Sequence, residues 1–232
     1  MRGVEAMAEN FTQSKLPEVE QRIGLDQVQI ATAVAEIIPA QHLVAIVMIG
    51  GYARSEGGYL CLSKGPQAYN DYDYFVIFQN CSKSQMKIFA QQLNERAKTL
   101  EIAVCVEVDF FPLMRTKIRS LPFTLMYAEM RMGHKVIYGD QDVLASMPTM
   151  PLNSLPLKEM QRLMLNRGTL LLLNKIHLLT ENDWDRDQFN KYMNKAALAC
   201  GDSYLHQKGL YDLSYTNKLA RLRKQDSRRA RR

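Results

Sequence analysis

The chain has 232 residues, 47% of them hydrophobic and 23% charged, with a formal net charge of +6 and a sequence pI near 9.1. That is long enough to bury a real core in one domain or two small ones, and the composition is ordinary for a globular protein. It excludes a membrane span, because no apolar stretch reaches ~18 residues and the most apolar one, TLLLLNKIHLL, is broken by Asn174, Lys175 and His177. The opening MRGVEAMAENF lacks the apolar core of a secretory signal. Cys61, Cys81, Cys105 and Cys200 are scattered without CxxC spacing. This argues against a zinc site or a disulfide framework and for a cytoplasmic protein with free thiols.

Residues 1 to about 15 read as disordered or weakly structured. Leu16 to Gly24 reads as a short helix with Pro17 in its first turn. Asp26 then reads as the N-cap of a second helix, LDQVQIATAVAEII, which Pro39 ends. Val28, Ala31, Val34, Ala35 and Ile38 fall at helical spacing and predict its packed face. Leu43 to Ile49, LVAIVMI, predicts a strand buried on both faces. Gly50-Gly51 follows, allowing a sharp turn and close backbone approach to a ligand. A helix starting near Tyr52 would aim its free N–H groups at the same spot, an anion site. Arg54 and Ser55 are candidates for added phosphate contacts, and Arg54 equally suits a structural ion pair. Gly57 to Asn70, rich in turn residues, predicts a hairpin or a flap.

Asp71 and Asp73 open the next strand, Tyr72 to Phe78. Alternate strand residues share a face, so the two carboxylates lie roughly 7 Å apart on one side. They repel unless a cation sits between them, and hard oxygen donors suit Mg²⁺ held together with phosphates. After a helix over KSQMKIFAQQLNERAKTL, capped by Ser82 or Ser84, a strand from Ile102 to Phe111 brings Glu107 and Asp109, again on one face. If the two strands are neighbours, a third carboxylate joins the first pair. Three carboxylates can hold two metals about 3.5–4 Å apart, the arrangement for phosphoryl transfer.

This order (apolar strand, Gly50-Gly51, short helix with Arg54-Ser55, Asp71-x-Asp73, later acidic strand) resembles the nucleotidyltransferase superfamily that includes DNA polymerase β. Within it, the chain is similar to the small bacterial enzymes of the kanamycin nucleotidyltransferase kind. The resemblance covers Leu43 to Phe111 well and the rest to about Tyr215 more loosely. It departs from the family at Gly51, where a phosphate-binding Ser is common, and in the inserted loop GGYLCLSKGPQAYN. The resemblance implies a mixed α+β (α/β) fold: a mixed β-sheet nucleotidyltransferase domain flanked by helices, then a C-terminal helical domain. It implies two Mg²⁺ ions, or Mn²⁺, on Asp71, Asp73 and Asp109, with Glu107 as competitor for the third place. Gly50, Gly51, Arg54 and Ser55 would face the triphosphate. The implied reaction moves a nucleoside monophosphate from an NTP to an acceptor hydroxyl with release of pyrophosphate. The acceptor is left open among a small molecule, tRNA and protein, and a homodimer is compatible with the family. The alternative is a nucleotide- or RNA-binding module of the same fold with little catalysis.

Leu121 to Arg131 predicts a helix and His134 to Asp140 a short strand closing the first domain, 1–150. Pro148, Pro151 and Pro156 punctuate a linker. The helical domain, 151–216, comprises Leu157 to about Leu179 and a helix capped by Asp185, with Phe189, Met193, Ala196, Ala197 and Cys200 as its stripe. By the resemblance this domain lends a lysine to the nucleotide. Lys195 is the candidate, with Lys191 one turn away and Asp202 and Tyr204 as weaker neighbours. From Asn217 onward there are eight basic residues against one acid, Asp226. The segment 217–232 thus predicts a disordered basic tail, solvated or in contact with nucleic-acid phosphates.

Overall fold

In the computed structural model, residues 10–63, 65–180 and 185–229 are described; the expectations for residues 1–9 and 230–232 lie outside them. The chain divides into two compact units, Met1–Pro122 with Glu129–Thr149, and Phe123–Ala128 with Met150–Arg232. The architecture is mixed α/β.

The first unit is built on a four-stranded sheet. It contains α1 (Pro17–Ile37), β1 (Leu43–Ile49), α2 (Gly50–Ala53), β2 (Tyr59–Leu62), β3 (Gly65–Ala68), β4 (Tyr72–Phe78), α3 (Lys83–Val104) and β5 (Val108–Met114). After α4 (Leu125–Met132), β6 (Lys135–Gly139) completes the sheet in the order β5-β4-β1-β6. The β4–β5 pair is parallel, and β1 runs antiparallel to both β4 and β6. Every residue of β1 is buried, as an apolar run without alternation requires. One sheet face carries Ile46, Met48, Tyr74, Val76 and Phe78 into a core with Ile23, Ile30 and Val34 of α1 and Leu93 and Leu100 of α3.

Several expectations are corrected. The first two predicted helices are one, because Val19, Ile23, Ile30, Ala31 and Val34 make a continuous buried stripe that one Gly is too weak to break. Asp26 is therefore no N-cap but a buried interior residue, and Ala35 of the predicted packed face is exposed. The strand predicted from Ile102 begins only at Val108. Leu93, Ala97, Leu100 and Val104 keep helical spacing and hold α3 to its end, where Cys105 turns into the left-handed region. Ser82 caps α3 in a reciprocal box with Gln85. The helix after Gly50-Gly51 is a single turn, Gly50–Ala53. The segment after it forms a two-stranded hairpin, β2 with β3. The predicted helix 121–131 begins four residues later, at Leu125.

The second unit packs α5 (Leu157–Thr180), α6 (Arg186–Gln207) and α7 (Tyr215–Arg229). Asp185 caps α6, accepting from the backbone N–H groups of Asp187 and Gln188. On α6, Ala196, Ala199 and Leu205 are buried, whereas the predicted Met193 and Cys200 are exposed. The expected disordered tail is helical through Arg229. Its start is tied down by ion pairs, Lys218 to Asp202 at 2.8 Å and Arg221 to Asp212 at 2.7 Å. No helix among the described residues is long and apolar enough to cross a membrane.

Candidate functional site

The site is the end of the sheet where β1 stops and β4 and β5 begin. β1 ends at Ile49, paired with Asp73. Gly50 follows with φ +82°, a conformation that favours glycine. A side chain there would stand 3.5 Å from Asp73 Oδ2, ordinary contact distance, so the backbone conformation, and not lack of room, calls for the glycine. The turn places its backbone beside the Asp73 carboxylate.

The parallel register sets Asp73 directly opposite Asp109 and Tyr72 opposite Val108. The Tyr72 N–H donates to the Glu107 carbonyl at 2.9 Å, so one residue back Asp71 falls opposite Glu107. Opposed residues of adjacent strands share a face, at strand spacings of about 4.8 Å. Asp73 and Asp109 therefore share one face on two neighbouring strands, and Asp71 and Glu107 are the residues immediately before those strands. The intervening Tyr72, Tyr74, Val108 and Phe110 point into the core on the other side. Asp71 and Asp73 are half-buried, Glu107 and Asp109 exposed. Glu107, weighed as a competitor of Asp109, lies one residue before β5, its carbonyl accepting from the Tyr72 N–H.

The donors are all hard oxygens, which suits Mg²⁺ or Mn²⁺ better than softer metals. Among the described residues, no three His, Cys, Asp or Glu side chains stand close enough to form a ready metal cluster. The strand pairing fixes the adjacency of the Asp73 and Asp109 backbone positions.

The other predicted residues are placed as follows. Arg54 has its Nε 3.8 Å from Glu56 and its Nη1 3.8 Å from Glu129. Its stem lies on Gly133, where a Cβ would come within 2.5 Å of Arg54 Cγ. This is the structural ion-pair arrangement. Ser55 adopts φ +59° and donates its hydroxyl to the Asn10 carbonyl at 2.6 Å. Gly51 lies within α2 and, because that helix is one turn, the macrodipole expected there is small. Lys195 and Lys191 lie half-buried on α6 in the second unit. Asp202 is the partner of Lys218, and Tyr204 lies under Lys208 Nζ at 5.9 Å.

Two residues escaped the sequence reading. Lys135 opens β6 opposite Met48, with its Nζ 3.4 Å from Ser55 Oγ and 5.6 Å from the Phe11 ring centroid. A lone lysine at the head of a short strand carries no signal of this. Tyr52 is 1% exposed, and its hydroxyl reaches the segment before Asp71; burial pushes that hydroxyl up to about 12, so it stays protonated. No protein-family model and no curated protein matches the chain.

Proposed function

We propose that the acidic face is a divalent-metal site and that the chain is a nucleotidyltransferase of the polymerase β type. The observation that carries this reading is the direct pairing of Asp73 with Asp109 beside the Gly50 turn. An Asp109 on the opposite face of the sheet would have removed it. Asp71 and Asp73 would hold the metal that meets the triphosphate, and Asp109 a second, with Glu107 beside it. When bound, such ions offset triphosphate charge and lower the pKa of the acceptor hydroxyl. That hydroxyl oxygen forms a bond to the α-phosphorus while the bond from the α-phosphorus to the bridging oxygen breaks, so pyrophosphate leaves. Asp109, the most exposed of the aspartates on this face, takes the hydroxyl proton. The backbone around Gly50 and Gly51 bounds the triphosphate without a Cβ in the way. Given its ion pairs to Glu56 and Glu129, Arg54 shapes the loop around this turn.

The acceptor is a hydroxyl on a small molecule, a tRNA end or a protein. The second reading, a binding module of the same fold with little turnover, draws on the absent Ser at Gly51 and on the basic α7. Incubation with each α-labelled nucleoside triphosphate and Mg²⁺ in a cell extract separates the two. Transfer of label is expected with the natural chain. Loss on the order of 10²–10³-fold, the scale of one lost transition-state contact, is expected in Asp71→Ala, Asp73→Ala and Asp109→Ala, with unchanged far-UV circular dichroism. Undiminished transfer in Asp73→Ala, or no labelled product from any triphosphate, would refute catalysis at this face.

A further inference from the structure

We propose that Tyr52 is a positioning residue for the acidic face, holding the start of β4 at a fixed place beside the Gly50-Gly51 turn through its hydroxyl. The inference rests on the reading of Asp71 and Asp73 as metal ligands. A tyrosine hydroxyl has one hydrogen to donate and two lone pairs to accept with, and here all three are used. Tyr52 Oη donates to the Gly58 carbonyl at 2.6 Å and accepts from the backbone N–H groups of Tyr69 at 3.0 Å and Asn70 at 3.1 Å. Tyr69 and Asn70 are the two residues immediately before Asp71. Gly58 is tied to the same place a second time, its N–H donating to Asn70 Oδ1 at 2.8 Å. One oxygen thus gathers the entry and the exit of the β2–β3 excursion.

The other end of Tyr52 is equally constrained. It is the residue after Gly50-Gly51, in the single turn of α2. Its ring lies 4.9 Å from that of Tyr72, the residue between the two aspartates. It also covers Gly57 so closely that a Cβ there would come within 2.0 Å of Tyr52 Cδ1. A phenylalanine would fill the same space and leave the core intact. What it would lack is the link between the turn that flanks Asp73 and the backbone that delivers Asp71. Outer partners of this sort orient metal ligands, and their loss typically weakens binding about 10–100-fold.

The test is Mn²⁺ binding to the full chain, followed by electron paramagnetic resonance, in the natural protein, Tyr52→Phe, Asp73→Asn and Ile30→Val. Ile30→Val trims the core on α1 and serves as a control for lowered stability alone. The expected result is Mn²⁺ affinity about 10–100-fold weaker in Tyr52→Phe, and faster amide exchange at Tyr69, Asn70 and Asp71. Ile30→Val should bind as the natural chain does. Natural affinity in Tyr52→Phe, with Asp73→Asn impaired, overturns the positioning role and leaves the metal reading standing. Equal weakening in Ile30→Val and Tyr52→Phe reduces the effect to stability and also overturns the proposal. No saturable Mn²⁺ binding by the natural chain, or none lost in Asp73→Asn, overturns the metal reading and this inference with it. If Tyr52→Phe does not fold, amide exchange in the natural chain takes its place: protection of the Tyr69 and Asn70 N–H groups comparable to that of β4 is expected, and exchange at the rate of an unprotected loop overturns the proposal.

Discussion

Asp26 illustrates how one buried group leaves a signature in solution. Its carboxylate lies between Arg22 Nη2 at 3.1 Å and the Tyr72 hydroxyl, which donates at 3.0 Å. Burial raises its pKa from 3.8 to about 6, with Arg22 and Tyr72 pulling the other way. The folded chain therefore holds this proton more tightly than the unfolded chain does. Stability from this group is fully present below about pH 4 and is lost as pH rises through about 6, because over that window the folded state binds more protons than the unfolded one. Asp26→Asn keeps an acceptor for Tyr72 and cannot ionise. Urea unfolding at pH 4.5, 6 and 7.5 should show a flatter pH dependence in the variant and higher stability than the natural chain at pH 7.5. A parallel slope in the two proteins would show that Asp26 is ionised throughout.

At the scale of elements, β6 depends on a single glycine. Gly139 ends the strand with φ +87°, and a Cβ there would lie 2.1 Å from the Val44 carbonyl oxygen of β1. Backbone cannot yield as a flexible side chain does, so Gly139→Ala is expected to cost about 3 kcal/mol or more, read as a lower urea midpoint. The elements differ in how plainly the sequence declared them. β1 is legible as an uninterrupted apolar run and β4 as the apolar run YFVIF behind Asp73, and the spacing of Asp71 and Asp73 predicts their common face. The onset of β5 is not legible, since the β-branched Ile102 and Val104 belong to the last turn of α3, where packing of Leu100 and Val104 outweighs strand preference. Asp26 looked like a cap because polar residues at such positions usually are, and only the fold supplies the tyrosine that lets it sit inside. The site was half legible in the same sense. The acidic residues stood out, whereas the β4–β5 pairing and the reach of Tyr52 across 17 and 18 residues are properties of the folded chain.

For the molecule as a whole, charge is unevenly distributed, with the last sixteen residues carrying +7 and the rest −1. The structure divides that basic end in two. Lys218 is buried at 8% side-chain exposure against Asp202, with its Nζ 4.6 Å from the Tyr215 ring centroid. Arg221 donates to the carbonyls of Leu210 and Tyr211. These groups anchor α7, and the arginines after Asp226 come later in the chain. Ending the chain after Asp226 should therefore change stability by no more than about 0.5 kcal/mol, while shifting elution from a cation exchanger to lower salt. Ending it after Ser214 removes α7 together with the Lys218–Asp202 and Arg221–Asp212 pairs, and is expected to lower the urea midpoint clearly more than the shorter truncation does. Urea unfolding of the two truncations distinguishes the roles.

The sheet order leaves β5 as a border strand, with Pro112 set into it opposite Val76 and Asp109 exposed upon it. A border strand offers its unpaired backbone to any passing chain, and proline and inward or exposed charge are the usual deterrents. An exposed charge at Asp109 therefore discourages edge-to-edge pairing along this rim whatever its part in the proposed chemistry. Neutralising it to probe turnover also lowers a barrier to self-association, so the colloidal behaviour of such a variant belongs beside its kinetics.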